Sequence, residues 1–243
     1  MSCKLFIFRH AGTTDNSRGI FSGWRDPDLT LKGLSQAQKI AEQLKRYQID
    51  YAFTPHLKRA RKTLEIVLQG HPSTPVFIDD RLIERCYGLL QGKDKRKMEN
   101  ENPDYYAQIH RGYGFVPPEG ESLEMVEKRV ISFLEQLKDW LKQNPGNVAI
   151  SCHNNSVRPF RRFFENLSIT QMCKLETPQD RALVCDLDLG NLSLICPKQK
   201  VFKTYWKGVL ISKRIKLATD SQNPLKKYYY VPNKATAGDF HAR

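Results

Sequence analysis

Two histidines stand where apolar runs give out. The run Cys3-Lys-Leu-Phe-Ile-Phe8 is short and nearly continuously apolar, as a strand buried on both faces requires, and it leads straight into Arg9 and His10. A second run, Val148-Ala-Ile-Ser151, leads into Cys152 and His153, followed by Asn154, Asn155 and Ser156. Near neutrality an imidazole offers an unprotonated nitrogen, so either ring can act as nucleophile or base. Arg9 adds a planar fork of donors that matches the oxygens of a phosphate and keeps its charge. Arg59, in Leu57-Lys58-Arg59-Ala60, brings another guanidinium just past a further strand-like segment. Glu84 adds a carboxyl group that can protonate a leaving oxygen, unless it is tied up as an ion pair with Arg81 or Arg85. Two imidazoles, two guanidiniums and one carboxyl at strand ends point to chemistry on a phosphorylated anion.

The elements that must position these groups follow from periodicity. Leu34, Ala37, Ile40, Ala41 and Leu44 recur at helical spacing. Residues 49–54 read as a short strand, and 57–68 as a helix. Residues 121–141 form a longer helix, with Val126, Val130, Phe133, Leu134 and Leu137 on one face. After the Val148 strand, residues 157–164 are expected to be helical with Pro159 in the first turn, and 182–188 and 192–196 to be strands. Strands alternating with helices predict an α/β three-layer sandwich, with a mostly parallel central sheet flanked by helices. Ligands of such sheets sit beyond the carboxyl ends of the strands.

The chain has 243 residues and a formal charge of +13. From Lys198 onward it carries eleven Lys or Arg against Asp220 and Asp239, so +9 of that charge lies in the last 46 residues. This divides the chain into a catalytic domain, 1–197, and a basic extension, 198–243. The extension's lysines lie among Tyr205, Trp206 and Tyr228–Tyr230, a mixture that single-stranded nucleic acids or acidic surfaces can use. A solvated extension, or an added strand near Val209–Ile211 whose lysines guard an edge, explains the same residues. The six cysteines form no CxxC pair, which speaks against a zinc site and for reduced, buried thiols. No apolar run is long enough to span a bilayer and the start lacks a signal-peptide pattern, so a cytoplasmic protein is expected. Neither GxGxxG nor GxxxxGK[ST] follows the first strand.

Arg9-His10 with Thr13 and Asn16, then Phe21-Ser-Gly-Trp24, resembles the N-terminal signature of the phosphoglycerate mutase-like histidine phosphatases. The blocks at 57–60, 84–92, 119–123 and 153–156 follow in that family's order. The resemblance implies His10 as a nucleophile that becomes phosphorylated, with Glu84 as acid and base and His153 beside it. It further implies phosphate binding by Arg9, Asn16, Arg59 and Asn154, and a pocket lined by Thr13, Ser22, Gly23 and Asn155. A metal is not required, since the guanidinium and imidazolium groups supply the positive charge.

Within the family, Tyr87, Lys95 and Arg111 resemble the bisphosphoglycerate-dependent mutases, which implies interconversion of 2- and 3-phosphoglycerate with 2,3-bisphosphoglycerate as primer. His110 stands where those mutases usually have a second arginine, as a weaker, pH-dependent substitute. Ala11 and Asn154 stand where glycine usually follows each histidine, and Asn154 is the better suited of the two to a positive φ. The passage from Pro118 into Gly120-Glu-Ser-Leu123 resembles compact members, many of them phosphatases, so hydrolysis of small phosphomonoesters is the alternative.

Overall fold

The computed structural model describes residues 2–188, with the backbone of residues 194–195 and 230–231. In its first strand, β1 (Ser2–Arg9), Leu5 and Ile7 project to one face and Phe6 and Phe8 to the other, and all four are buried. A strand apolar on both faces must be covered twice. Leu5 and Ile7 join a core with Val126, Val130, Phe133 and Leu137 of α6 (Leu123–Gln143) and Phe160 of α7 (Asn154–Glu165). Phe6 and Phe8 pack with Ile40 and Leu44 of α2 (Leu31–Leu44) and Leu64 and Val67 of α3 (Lys58–Val67). Helices therefore lie on both faces of the sheet, as expected of a three-layer α/β sandwich.

The other strands are β2 (Tyr51–Thr54), β3 (Val76–Ile78), β4 (Val148–Cys152), β5 (Leu183–Asp188), β6 (Leu194–Ile195) and β7 (Tyr230–Val231). They form one sheet in the order β6-β5-β1-β4-β2-β3-β7. The central strands β1, β4, β2 and β3 are parallel, whereas β5, β6 and β7 add antiparallel edges. Residues 230–231 thus pair with the β3 edge, Tyr230 opposite Phe77 and Val231 opposite Val76. Apart from that pair, the basic extension, including the strand expected near Val209–Ile211, lies outside the described residues. Of the strand expected at 192–196, residues 194–195 are described and form β6.

Shorter helices complete the framework: α1 (Thr14–Arg18), α4 (Lys95–Glu101), α5 (Pro103–Arg111) and α8 (Ile169–Cys173). A small separate cluster of Phe21, Tyr87, Leu90 and Ile109, joined by Tyr105 and Tyr106, packs the segment after α1 against α5. Helix α2 is brought close to the loop after β1: a Cβ on Gly33 would lie 2.0 Å from the Gly12 carbonyl oxygen, so only glycine fits that helix position. Among the described residues the five cysteines are buried, and no helix is long and apolar enough to cross a membrane.

One element departs from expectation in a way that matters. Helix α7 starts at Asn154 rather than Val157, so Pro159 sits inside the helix, beyond its first turn. The periodicity of apolar residues hid this start, because its first turn consists of the polar Asn154, Asn155 and Ser156, all turned inward and buried. Their burial is explained by what they face.

Candidate active site

Parallel pairing of β1 with β4 sets Arg9 opposite Cys152, and the ladder extends one residue further because the His10 N–H donates to the Cys152 carbonyl at 2.8 Å. His10 and His153 are thereby delivered side by side at the carboxyl edge, with ring centroids 5.0 Å apart. Both are almost fully buried. In this register adjacent parallel strands that each end in histidine set the two residues next to each other.

His10 is held as one tautomer. Its Nδ1 lies 2.8 Å from the carbonyl oxygen of Ala11, an acceptor only, so Nδ1 carries the proton and Nε2 keeps its lone pair. Burial, followed by the charges of Arg59 and Arg9, holds its pKa well below the usual histidine value, which keeps the ring neutral. His153 is depressed in the same way, by burial, then by Arg59 and by His10. Neither ring nitrogen of His153 has a hydrogen-bond partner among the described residues.

The cations around these rings are braced by backbone. Arg59 reaches the carbonyls of Arg25 and, at 2.7 Å, Gly23, and lies 3.7 Å from Asp26. Its side chain is shut off from solvent, yet its Nε has no partner. Arg9 donates to the Thr177 carbonyl at 3.4 Å, and its Nε is likewise unpartnered. Buried donors without acceptors are costly in a folded protein, and here they belong to groups that match phosphate oxygens. Asn16 completes this side, its Oδ1 accepting from Gln179 at 2.9 Å and from the Thr13 backbone at 3.2 Å.

Across the pocket, Glu84 is free of ion pairs among the described residues, because Arg81 pairs with Asp79 and the Arg85 guanidinium donates to the carbonyls of Glu121, Ile109 and Phe115. The Glu84 Oε1 instead accepts from the backbone N–H of Arg85 at 2.8 Å and of Asn155 at 3.3 Å. Trp24 donates to the Glu84 carbonyl at 2.7 Å and so fixes the backbone of that residue. The Asn155 amide donates to the Tyr87 hydroxyl at 3.2 Å, while its Oδ1 accepts from Arg158 at 2.7 Å. Lys95, at the start of α4, lines the same pocket with its ammonium 5.3 Å from the Phe21 ring centroid. Burial and then Arg9 lower its pKa from the usual lysine value.

Of the residues singled out from sequence, Arg9, His10, Asn16, Ser22, Gly23, Arg59, Glu84, Tyr87, Lys95, His110, Asn154 and Asn155 line this one pocket. Three residues are placed or charged otherwise than expected. Thr13 does not line it: buried, it caps α1 by accepting from the Asn16 N–H at 3.3 Å, and so positions Asn16 from behind. Arg111 is outside the lining and is held by Glu176 at 2.9 Å and the Cys173 carbonyl at 3.1 Å. His110 is no cation at neutral pH, because burial and the neighbouring Arg111 and Lys95 lower its pKa to about 4. Ala11 and Asn154, moreover, do not adopt positive φ; Asn154 opens a helix, so neither position requires glycine.

Sequence reasoning missed Arg158 and Glu176, both in the lining. Arg158 falls one helical turn after Asn154, a spacing readable only once α7 is known to start there. Glu176 lies on an irregular segment with no periodic signal. That segment is stitched to the pocket by Glu176 to the Asn154 amide at 3.1 Å, Thr177 N–H to the Asn154 Oδ1 at 3.0 Å, and Gln179 to the His10 carbonyl at 3.1 Å.

The donor atoms of His10, Glu84 and His153 lie within 4.8 Å of one another, close enough to share a cation. The charges around them argue otherwise: Arg9, Arg59, Lys95 and Arg158 in the same lining outnumber Glu84 and Glu176 and favour an anion.

A doubly flanked parallel sheet with paired histidines and guanidiniums at its carboxyl edge defines the histidine phosphatase fold, and this chain belongs to the histidine phosphatase superfamily (branch 1), whose family model matches residues 5–193. It is an enzyme of that superfamily. A protein named 2,3-bisphosphoglycerate-dependent phosphoglycerate mutase from Cytophaga hutchinsonii is 34% identical over 197 residues, covering 79% of this chain and 92% of the relative. The phosphoglycerate mutase of Schizosaccharomyces pombe is 35% identical, over 76% of this chain and 90% of its own. Among solved structures, Bacillus stearothermophilus YhfR superposes with a TM-score of 0.69 at 22% identity, covering 76% of this chain and 92% of that one. A putative α-ribazole-5'-P phosphatase from Escherichia coli gives a TM-score of 0.65 at 24% identity, over 76% and 90%. At these identities the structural likeness establishes the fold.

Proposed function

We propose that this enzyme interconverts 2- and 3-phosphoglycerate through a phosphohistidine on His10, with 2,3-bisphosphoglycerate as the phosphoryl primer. The observation that carries the reading is the set of buried, unpartnered donors on Arg9, Arg59 and His153 around an imidazole whose Nε2 is unprotonated. Nε2 of His10 attacks phosphorus in line, the P–O ester bond breaks, and its electron pair leaves on the ester oxygen. Glu84 protonates that oxygen; its Oε1 is anchored by two backbone N–H groups while Oε2 has no protein partner among the described residues. In the second half, Glu84 takes the proton of the acceptor hydroxyl and the P–N bond breaks. Arg9, Arg59, Asn16, Asn154 and His153 hold the phosphoryl oxygens, so that positioning and charge complementarity account for most of the rate. Ser22, Gly23, Tyr87, Lys95 and Asn155 surround the glycerate, with His110 as a neutral hydrogen-bonding neighbour and Arg111 set behind Glu176.

The mutase names of relatives at 34% and 35% identity support this choice of substrate. A second reading, hydrolysis of small phosphomonoesters, is favoured by one observation: Glu176 already engages Arg111, one of the cations a phosphoglycerate would need. Both readings share the phosphohistidine and part at its acceptor, alcohol or water. With the purified full chain, 2-phosphoglycerate should form from 3-phosphoglycerate, and its formation should depend on added 2,3-bisphosphoglycerate. Phosphate release without 2-phosphoglycerate would replace the mutase reading with the hydrolytic one.

A further inference from the structure

The pocket contains one carboxylate that the phosphoryl transfer does not use. Glu176 Oε1 lies 2.9 Å from the Arg111 guanidinium and 3.5 Å from that of Arg158, and its Oε2 accepts from the Asn154 amide at 3.1 Å. Arg158 is only 1% exposed and is fixed from behind by the Asn155 Oδ1 at 2.7 Å and the Leu175 carbonyl at 3.0 Å. These contacts, one carboxylate shared between two guanidiniums and an amide, are those an incoming carboxylate or second phosphate would itself make.

We propose that Glu176 is a specificity-determining residue: a built-in counter-anion that occupies the subsite for the substrate's second anionic group. The inference rests on the phosphohistidine reading of the same pocket and names what selects the substrate there. Arg111 and Arg158 are present, yet their charge is already answered, so a bis-anionic substrate must displace Glu176 before it can use them. Displacement is feasible because the Glu176 side chain is 54% exposed, and a half-exposed ion pair is weak. A phosphomonoester whose remainder is uncharged meets no such competition. Glu176 thus narrows the preference for bis-anionic over mono-anionic substrates; among the described residues it makes no hydrogen bond to His10 or Glu84, and it meets the phosphoryl centre only through the Asn154 amide.

The test compares two ligands of similar size, 3-phosphoglycerate and glycerol 3-phosphate, which differ by one carboxylate. Their dissociation constants are measured by calorimetry on the full-length protein and on Glu176→Gln, with Glu176→Ala as a second variant. Removing the charge should tighten 3-phosphoglycerate about tenfold and shift glycerol 3-phosphate less than about twofold. Equal shifts for both ligands, no shift, or weaker 3-phosphoglycerate binding by both variants would overturn the proposal. Because the readout is binding, it holds whether or not His10 becomes phosphorylated, and failure to label His10 would count against the catalytic reading alone.

Discussion

Replacing His10 with asparagine should lower kcat by about 10⁴-fold or more while the melting temperature changes little, measured in the phosphoglycerate assay and by thermal unfolding. The nucleophile is the one group in the pocket for which no neighbour can substitute. His153 lies beside it but has neither the Ala11 carbonyl that fixes the His10 tautomer nor an equivalent partner on either ring nitrogen. Asparagine roughly preserves the volume and can keep the donation to the Ala11 carbonyl, so the loop after β1 should stay in place. It also removes a group whose depressed pKa marks a buried, disfavoured charge, which leaves stability at acid pH unharmed. A His10→Asn protein retaining more than about a hundredth of the wild-type kcat would mean that the phosphoryl group travels by another route.

The second large effect is expected at Arg59. Changing it to alanine should reduce kcat by about 10²- to 10³-fold, the cost of losing a fixed donor aimed at developing charge. It should also destabilise the protein by about 1–3 kcal/mol, because the carbonyls of Arg25 and Gly23 lose their buried donor. Lysine should restore little of the rate, since a single ammonium cannot span both carbonyls and still present a nitrogen to phosphate. Steady-state kinetics with a chemical-denaturation curve separates the two losses. If Arg59→Lys turned over as fast as the wild type, the guanidinium geometry would have no catalytic part.

The strands that carry the site were legible because burial on both faces leaves an unmistakable pattern: Leu5 to Phe8 and Val148 to Ile150 are apolar at every position and end at the two histidines. The neighbouring placement of those strands was not legible, since nothing local encodes that β4 inserts between β1 and β2. Short or polar elements escaped for a different reason. Strand β3 has three residues, and α7 begins with three buried polar side chains, so apolar periodicity marks neither start. The polar half of the site was read residue by residue through resemblance: Arg59, Glu84 and Asn155 fall in the pocket lining, whereas local context gives other residues a different setting. Thr13 became a helix cap, and His110 lost its charge to burial among cations. Glu176 carried no signal at all, because its meaning depends on Arg111 and Arg158, which lie 65 and 18 residues away.

In the proposed reaction the phosphoryl group rests covalently on His10. The direct measurement is to mix the enzyme with substoichiometric 2,3-bisphosphoglycerate, quench in alkali, digest, and locate the added phosphoryl group by mass spectrometry. A phosphorylated peptide spanning Arg9 to Thr13, modified at His10, stable in alkali and lost in acid, is the predicted result. A phosphoryl group found on Ser22, Glu84 or His153, or turnover with no covalent phosphoenzyme at all, would contradict it.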